Sequence, residues 1–355
     1  METTHRIVEG DSRGMDAIED DSVELLVTSP PYPMIEMWDD LFADLDPAVG
    51  EYLEAGDGRA AFEAMHGELD RVWAEASRVL VPGGIACINV GDATRKLADS
   101  FRVYQNHSRI VEAFEALEFE PLPELLWRKP TNSAAKFMGS GMLPPNAYVT
   151  LEHEYVLVFR NGNDSRKFEP GSERRYESAY FWEERNEWFS DVWEDVRGEL
   201  QALAGGESRD RSAAYPFEVP YRLVCMYSVY GDTVLDPFWG TGTSSLAAMV
   251  AGRNSVGYEL DAGFVRAFDE RVRNVPEFSR NVIRQRLEDH REFVYERVGS
   301  GEEFAYDAEH YDFPVTTKQE QSLRFYSVRD IEAIERGYRA VHEPVVSENR
   351  SIGEN

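Results

Sequence analysis

Short apolar runs alternate along the chain with longer stretches in which apolar side chains recur every three or four residues. That is the pattern of strands laid between helices. Residues 5–10 (HRIVEG) read as a strand, 12–20 (SRGMDAIED) as a short helix and 23–28 (VELLVT) as a buried strand, together one βαβ unit. Residues 34–58 are acidic and read as loop. Phe62, Met65, Leu69, Val72, Trp73, Ala76 and Leu80 then keep helical spacing up to the stop VPGG, and residues 85–92 (IACINVGD) return as a strand. A helix over 110–117, a strand over 124–127, a Gly/Pro/Ser-rich loop over 131–147 and a strand over 153–162 follow. Prolines open a helix within 213–228, and TVLD begins a succession of strand, glycine turn, helix and strand. The predicted fold class is α/β, a doubly wound, mostly parallel sheet.

Two segments break this rhythm. Residues 163–214 mix many charges with eight aromatic residues and show little periodicity, so they read either as an inserted recognition region or as an irregular cap on the core. The tail from about Arg280 is charged and weakly helical, and it names no chemistry.

The strand at 23–28 ends in Ser29-Pro30-Pro31-Tyr32. Prolines have fixed φ and no N–H, so they cannot continue a central strand; they hold a rigid turn at its carboxyl end, where open α/β sheets bind ligands. That turn offers a hydroxyl (Ser29), a carbonyl outside any ladder (Pro30) and an aromatic face (Tyr32), a set that suits a planar base with an exocyclic amine. More than 200 residues later comes TVLDPFWGTGT. Gly240 and Gly242 let backbone approach a ligand where a Cβ would clash, and Glu259, at the end of the next strand, can accept ribose hydroxyls. A glycine turn alone fits several nucleotides. The absence of G-x-G-x-x-G makes NAD less natural, and the absence of GK[ST] excludes a P-loop.

The net charge of −29 argues by itself against a phosphate-gripping protein. Only five of the 37 basic residues are lysines, however, and acidic surplus with scarce lysine is the composition of proteins working in molar salt. At about 1 M the Debye length is ~3 Å, so distant like charges hardly repel. The charge therefore reads as a halophilic habitat, not as a choice of partner. Cys87 and Cys225, far apart and outside any CxxC, point to a reducing cytoplasm, with no structural zinc and no disulfide framework. No apolar run is long enough to span a membrane, and no signal peptide precedes the first strand.

Taken together, TSPPY and DPFWGTGT resemble the S-adenosylmethionine-dependent amino-methyltransferases that act on exocyclic nitrogens in DNA. The catalytic turn precedes the donor site, which is the circularly permuted order of that family's β group. The resemblance implies a Rossmann-like methyltransferase with residues 1–162 as catalytic half and 213–280 as donor-binding half; it does not cover 163–212, a candidate target-recognition insertion by its composition, or 281–355, an extension of unknown role. It implies Ser29, Pro30, Pro31 and Tyr32 as catalytic residues. It also implies Asp11, Asp236, Phe238, Gly240, Gly242, Thr243 and Glu259 as the donor site, Asp11 towards the adenine and Glu259 on the ribose, with no metal. One departure stands out: the family's H-P-x-x-x-P appears here with Tyr215 in place of the histidine.

Ser before PPY favours the N4 amine of cytosine over the N6 amine of adenine, and the extension TSPPYPMIEMWD resembles archaeal N4 enzymes that modify a short palindrome such as CTAG. The implied partner is double-stranded DNA with the target base flipped out, alongside a cognate restriction endonuclease or none. Methylation of cytosine C5 is disfavoured, because it needs a Pro-Cys nucleophile and neither cysteine follows a proline. The rival readings are an N6-adenine methyltransferase and a DNA-binding protein that has lost catalysis; intact SPPY and glycine turns speak against the second. Methylation of RNA or of a protein glutamine ranks lower, because the glutamine enzymes carry their NPPY after the donor site.

Overall fold

The computed structural model describes residues 1–129, 138–196 and 215–346. Its main sheet contains β1 (Glu2–Glu9), β2 (Val23–Thr28), β3 (Leu80–Val90), β4 (Phe119–Arg128), β5 (His153–Asn161), β6 (Val192–Trp193), β7 (Thr233–Asp236), β8 (Asn254–Glu259), β9 (Tyr326–Ile334) and β10 (Gly337–Pro344). The principal helices are α1 (Asp39–Leu45), α2 (Pro47–Glu54), α3 (Gly58–Val79), α4 (Asn106–Ala116), α5 (Glu218–Tyr227), α6 (Thr243–Ala251), α7 (Ala262–Val272) and α8 (Val275–Gly299). Across the sheet the order is β6-β4-β5-β3-β2-β7-β8-β1-β10-β9, and the central strands β3-β2-β7-β8-β1 are all parallel. β5 runs antiparallel to both β3 and β4.

Strand β2 is an apolar run because both of its faces are covered. Leu25 and Val27 join a core with Val219, Leu223 and Leu246 of α5 and α6, while Leu26 joins Met65, Leu69 and Trp73 of α3 on the other side. The doubly wound α/β expectation holds. Among the described residues, no helix is long and apolar enough to cross a membrane.

The expected βαβ unit at the start does not form. β7 and β8 lie between β1 and β2, and residues 12–20 are turns instead of a helix. The side chains of α3 do the work a helix would have done for this link. Arg78 donates to the carbonyls of Met15 (3.1 Å) and Ile18 (3.0 Å), and Glu75 accepts from Met15 N at 2.7 Å. Residues 34–58, expected as loop, hold α1 and α2. Each buries a single apolar residue, Phe42 and Val49, so neither leaves a legible period. Asp46 caps α2 and Asp57 caps α3 through their carboxylates.

The described part of 163–212 packs against the rest of the chain along its length, and residues 197–212 lie outside the described residues. Trp188, Trp193 and Val196 enter the same core as β2, and β6 extends the sheet beside β4. Phe181 shares a third cluster with Ile283 and Leu287 of α8 and with Tyr311, Phe313 and Phe325 of the tail. The tail is more than weakly helical: α8 runs for 25 residues, and the β9–β10 hairpin adds to the sheet along β1.

Candidate active site

The five parallel strands all end at one edge, so Thr28, Asp236 and Glu259 finish side by side on neighbours β2, β7 and β8. The Ser29–Tyr32 turn and the 237–243 turn both leave from that edge. They line one cleft of about 540 Å³, together with Asp11, Phe238, Gly240, Thr243, Tyr215 and Glu259. A volume of that order is ordinary for a small-molecule site.

Asp236 is buried at the floor. Thr28 Oγ1 donates to it at 2.6 Å, Ser244 Oγ at 2.5 Å and Phe238 N at 3.1 Å. These donors are neutral, so burial outweighs them and pushes the Asp236 carboxyl up to about 6. Tyr215, standing where the family motif has histidine, hydrogen-bonds the same Ser244 hydroxyl and is buried. Glu259 accepts Gly240 N at 2.7 Å through one oxygen and Asp261 N at 2.8 Å through the other, which ties the glycine turn to the end of β8. Burial pushes its carboxyl up as well.

On the opposite wall, Tyr32 Oη lies 3.0 Å from Ser29 Oγ and donates to Glu154 Oε2 at 3.1 Å. Asn89 Nδ2 donates to both Tyr32 Oη and Glu154 Oε2, each at 2.8 Å, and Lys129 Nζ meets Glu154 Oε1 at 2.6 Å. A Cβ on Gly91 would come within 3.2 Å of the Tyr32 ring, so the glycine makes room for it.

The model of the N6/N4 family of DNA methylases matches residues 23–270. The chain belongs to that family. Its relatives include the Type II methyltransferase M.MthZI of Methanothermobacter thermautotrophicus, 50% identical over 337 residues, covering 94% of this chain and 93% of that protein. The Type II methyltransferase M.MjaI of Methanocaldococcus jannaschii is 51% identical over 281 residues, 76% of this chain and 91% of its own length. Among solved structures, TTHA0409 of Thermus thermophilus was crystallised with S-adenosyl-L-methionine. It is 33% identical with a TM-score of 0.60, over 77% of this chain and 95% of that one.

Two residues of the methylase expected at the donor site sit in unforeseen surroundings. Asp11 reaches the cleft, but Arg13 Nε already contacts both of its oxygens, at 3.1 and 2.9 Å; that partner holds the carboxyl below its ordinary range. Gly242 does not line the cleft. At φ +76° it turns the chain into α6, and a Cβ there would meet Phe268 and Trp239 at 2.5–2.6 Å, so its glycine serves packing and turn geometry. Sequence reasoning missed Thr28, Ser244, Asn89, Lys129 and Glu154. For Glu154 a signal was there to read: a carboxylate directly before the apolar run YVLVF of a strand.

Proposed function

We propose that the methylase transfers a methyl group to the N4 amine of a cytosine flipped out of a short site in double-stranded DNA. One observation carries this: the Ser29-Pro30-Pro31-Tyr32 turn and the turn between Asp236 and Thr243 line a single cleft, although over 200 residues separate them. The methyl donor is S-adenosylmethionine, which supplies an electrophilic methyl on a positively charged sulfur.

The cleft fits such a ligand. Asp11, Asp40, Asp44, Glu68, Asp236, Glu259 and Asp261 line it, and the single cation among its lining residues, Arg13, is paired with Asp11 and Glu68. A lining of that sign suits a sulfonium and an ammonium and repels a pyrophosphate. Asp236 and Glu259 would hold the donor's cationic and ribose portions, and Asp11, Phe238 and Thr243 would flank it.

Transfer is an in-line displacement, so geometry matters more than strong acid–base help. The difficulty lies in the amine, whose lone pair is delocalised into the ring. Acceptors for its N–H groups, Ser29 Oγ and the Pro30 carbonyl, draw the nitrogen towards a pyramidal shape, with the Tyr32 ring beside the base. A base inside a duplex cannot reach this depth, so it is flipped at a cost of a few kcal/mol. Attack at C5 has no nucleophile here: Cys87 and Cys225 are both buried, and burial pushes both thiols up.

The N4 assignment draws on serine at position 29, and a role beside a type II restriction enzyme draws on the relatives' names. The acidic, lysine-poor surface supports a high-salt habitat. The deciding experiment incubates unmethylated plasmid DNA with the protein and S-adenosylmethionine, digests it to nucleosides and weighs them. N4-methylcytosine is expected; N6-methyladenine would transfer the reading to the other amine, and no methylated nucleoside would end it.

A further inference from the structure

The hydrogen bonds behind the Ser29 turn have a direction, and a carboxylate outside the cleft sets it. Glu154 is buried, and every partner it has on this wall is a donor: Lys129 Nζ at 2.6 Å on one oxygen, Asn89 Nδ2 at 2.8 Å and the Tyr32 hydroxyl at 3.1 Å on the other. An ammonium and an amide N–H can only donate, so Glu154 is held as an acceptor. Tyr32 has one hydroxyl hydrogen, and Glu154 takes it. The 3.0 Å contact between Ser29 Oγ and Tyr32 Oη therefore leaves Ser29 as its donor. With its own hydrogen committed, Ser29 can offer the cleft only lone pairs. Burial pushes the Tyr32 phenol well above its ordinary range, so the middle link keeps its proton at rest.

We infer that Glu154, acting through Tyr32, is the positioning residue that makes Ser29 an obligate acceptor for the target amine and receives the proton this amine sheds. The inference rests on the methylation reading above. As the nitrogen lone pair forms the N–C bond, the C–S bond of the donor breaks with its electrons staying on sulfur, and the nitrogen becomes cationic. Its proton passes to Ser29 Oγ, the Ser29 hydrogen to Tyr32 Oη, and the Tyr32 hydrogen to Glu154 Oε2. The neutral Glu154 then loses a proton to water beside Lys129, whose side chain is 46% exposed, and the chain resets. A serine is ambivalent by nature; a fixed acceptor two bonds away removes the ambiguity. An amine presents only hydrogens in the plane of its base, so an acceptor-only Ser29 selects it over a carbonyl.

The test uses the full chain, unmethylated plasmid and bacteriophage DNA, and tritium-labelled S-adenosylmethionine under single-turnover conditions. Glu154→Gln puts a donor against either Tyr32 or Lys129, whereas Tyr32→Phe keeps the ring and removes the middle link. Each is expected to slow the transfer step about 10²-fold. Donor and DNA dissociation constants should stay within about twofold, because the loss falls on the transferring step. The double variant should be no slower than the slower single, since both cut one chain. Glu154→Asp should recover part of the rate. Transfer at the wild-type rate by Glu154→Gln would overturn the inference. So would losses that multiply in the double variant, or a loss confined to binding. Should the unaltered protein transfer no methyl to DNA, the functional reading fails first; if it does transfer and the variants match it, only this inference falls.

Discussion

Strand β7 is four residues long and has a buried aspartate at each end: Asp232 just before it and Asp236 as its last residue. At the amino end, Asp232 is gripped by two arginines from the 163–196 segment, Arg166 at 2.6 and 3.0 Å and Arg174. At the carboxyl end, Asp236 meets only hydroxyls and an amide. The same side chain on the same strand is neutralised in one place and left wanting a cation in the other. The first arrangement holds a segment down. The second leaves a buried carboxyl with neutral donors alone at the floor of a cleft, and the proposed function assigns its charge to a positively charged ligand.

The largest expected effect separates the two in catalysis. Asp236→Asn should reduce methyl transfer by about 10²-fold or more in a tritium assay, the cost of losing a preorganised charge. Folded Asp232→Asn should transfer at close to the wild-type rate, and equal losses would erase the distinction. Stability should divide the other way. Asp232→Ala leaves two arginines facing a buried gap and should cost about 3 kcal/mol in denaturant unfolding. Asp236→Asn should instead stabilise the free protein at pH 8 by about 3 kcal/mol, because a carboxyl pushed up to about 6 makes its favourable contribution below its unfolded range near 3.8 and loses it as pH rises through about 6. The gap between variant and wild type should therefore close below pH ~4.

Donor affinity sharpens the comparison further. Calorimetry should show binding of S-adenosylmethionine weakening about tenfold per pH unit below about 6, as Asp236 becomes neutral. A flat profile would mean that the donor's charge is met elsewhere. The smallest effect concerns the surface as a whole. The melting temperature should rise by several degrees between about 0.1 and about 1 M KCl as like charges are screened. A protein fully stable without salt and inhibited by it would refute the halophilic reading.

The parts of this molecule that the sequence made legible are those where local chemistry and global fold agree. Pro30 and Pro31 can only end β2, Gly240 and Gly242 can only turn, and the spacing from Asp236 puts Glu259 at the end of the next parallel strand. The illegible parts depend on distant partners. Residues 12–20 carry helical spacing, but Arg78 and Glu75 of α3 satisfy their backbone instead, and the neighbours of β1 come from the far end of the chain. The tail hairpin could not be seen because its inward side, including Val328 and Ala340, completes a core owned by α6 and α8. Glu154 was passed over for the same reason: its meaning lies in Tyr32, 122 positions earlier.

The hairpin at residues 326–344 also has a protective use. It pairs with Glu2–Arg6 on the outer side of the first strand, with Thr3 Oγ1 2.9 Å from His342 Nε2 beneath it. Without it that strand would present an unsatisfied ladder, open to any other chain with the same exposed margin. A protein shortened after residue 299 should then pass from single particles to aggregates long before its cleft is altered, and sieving chromatography would register the change.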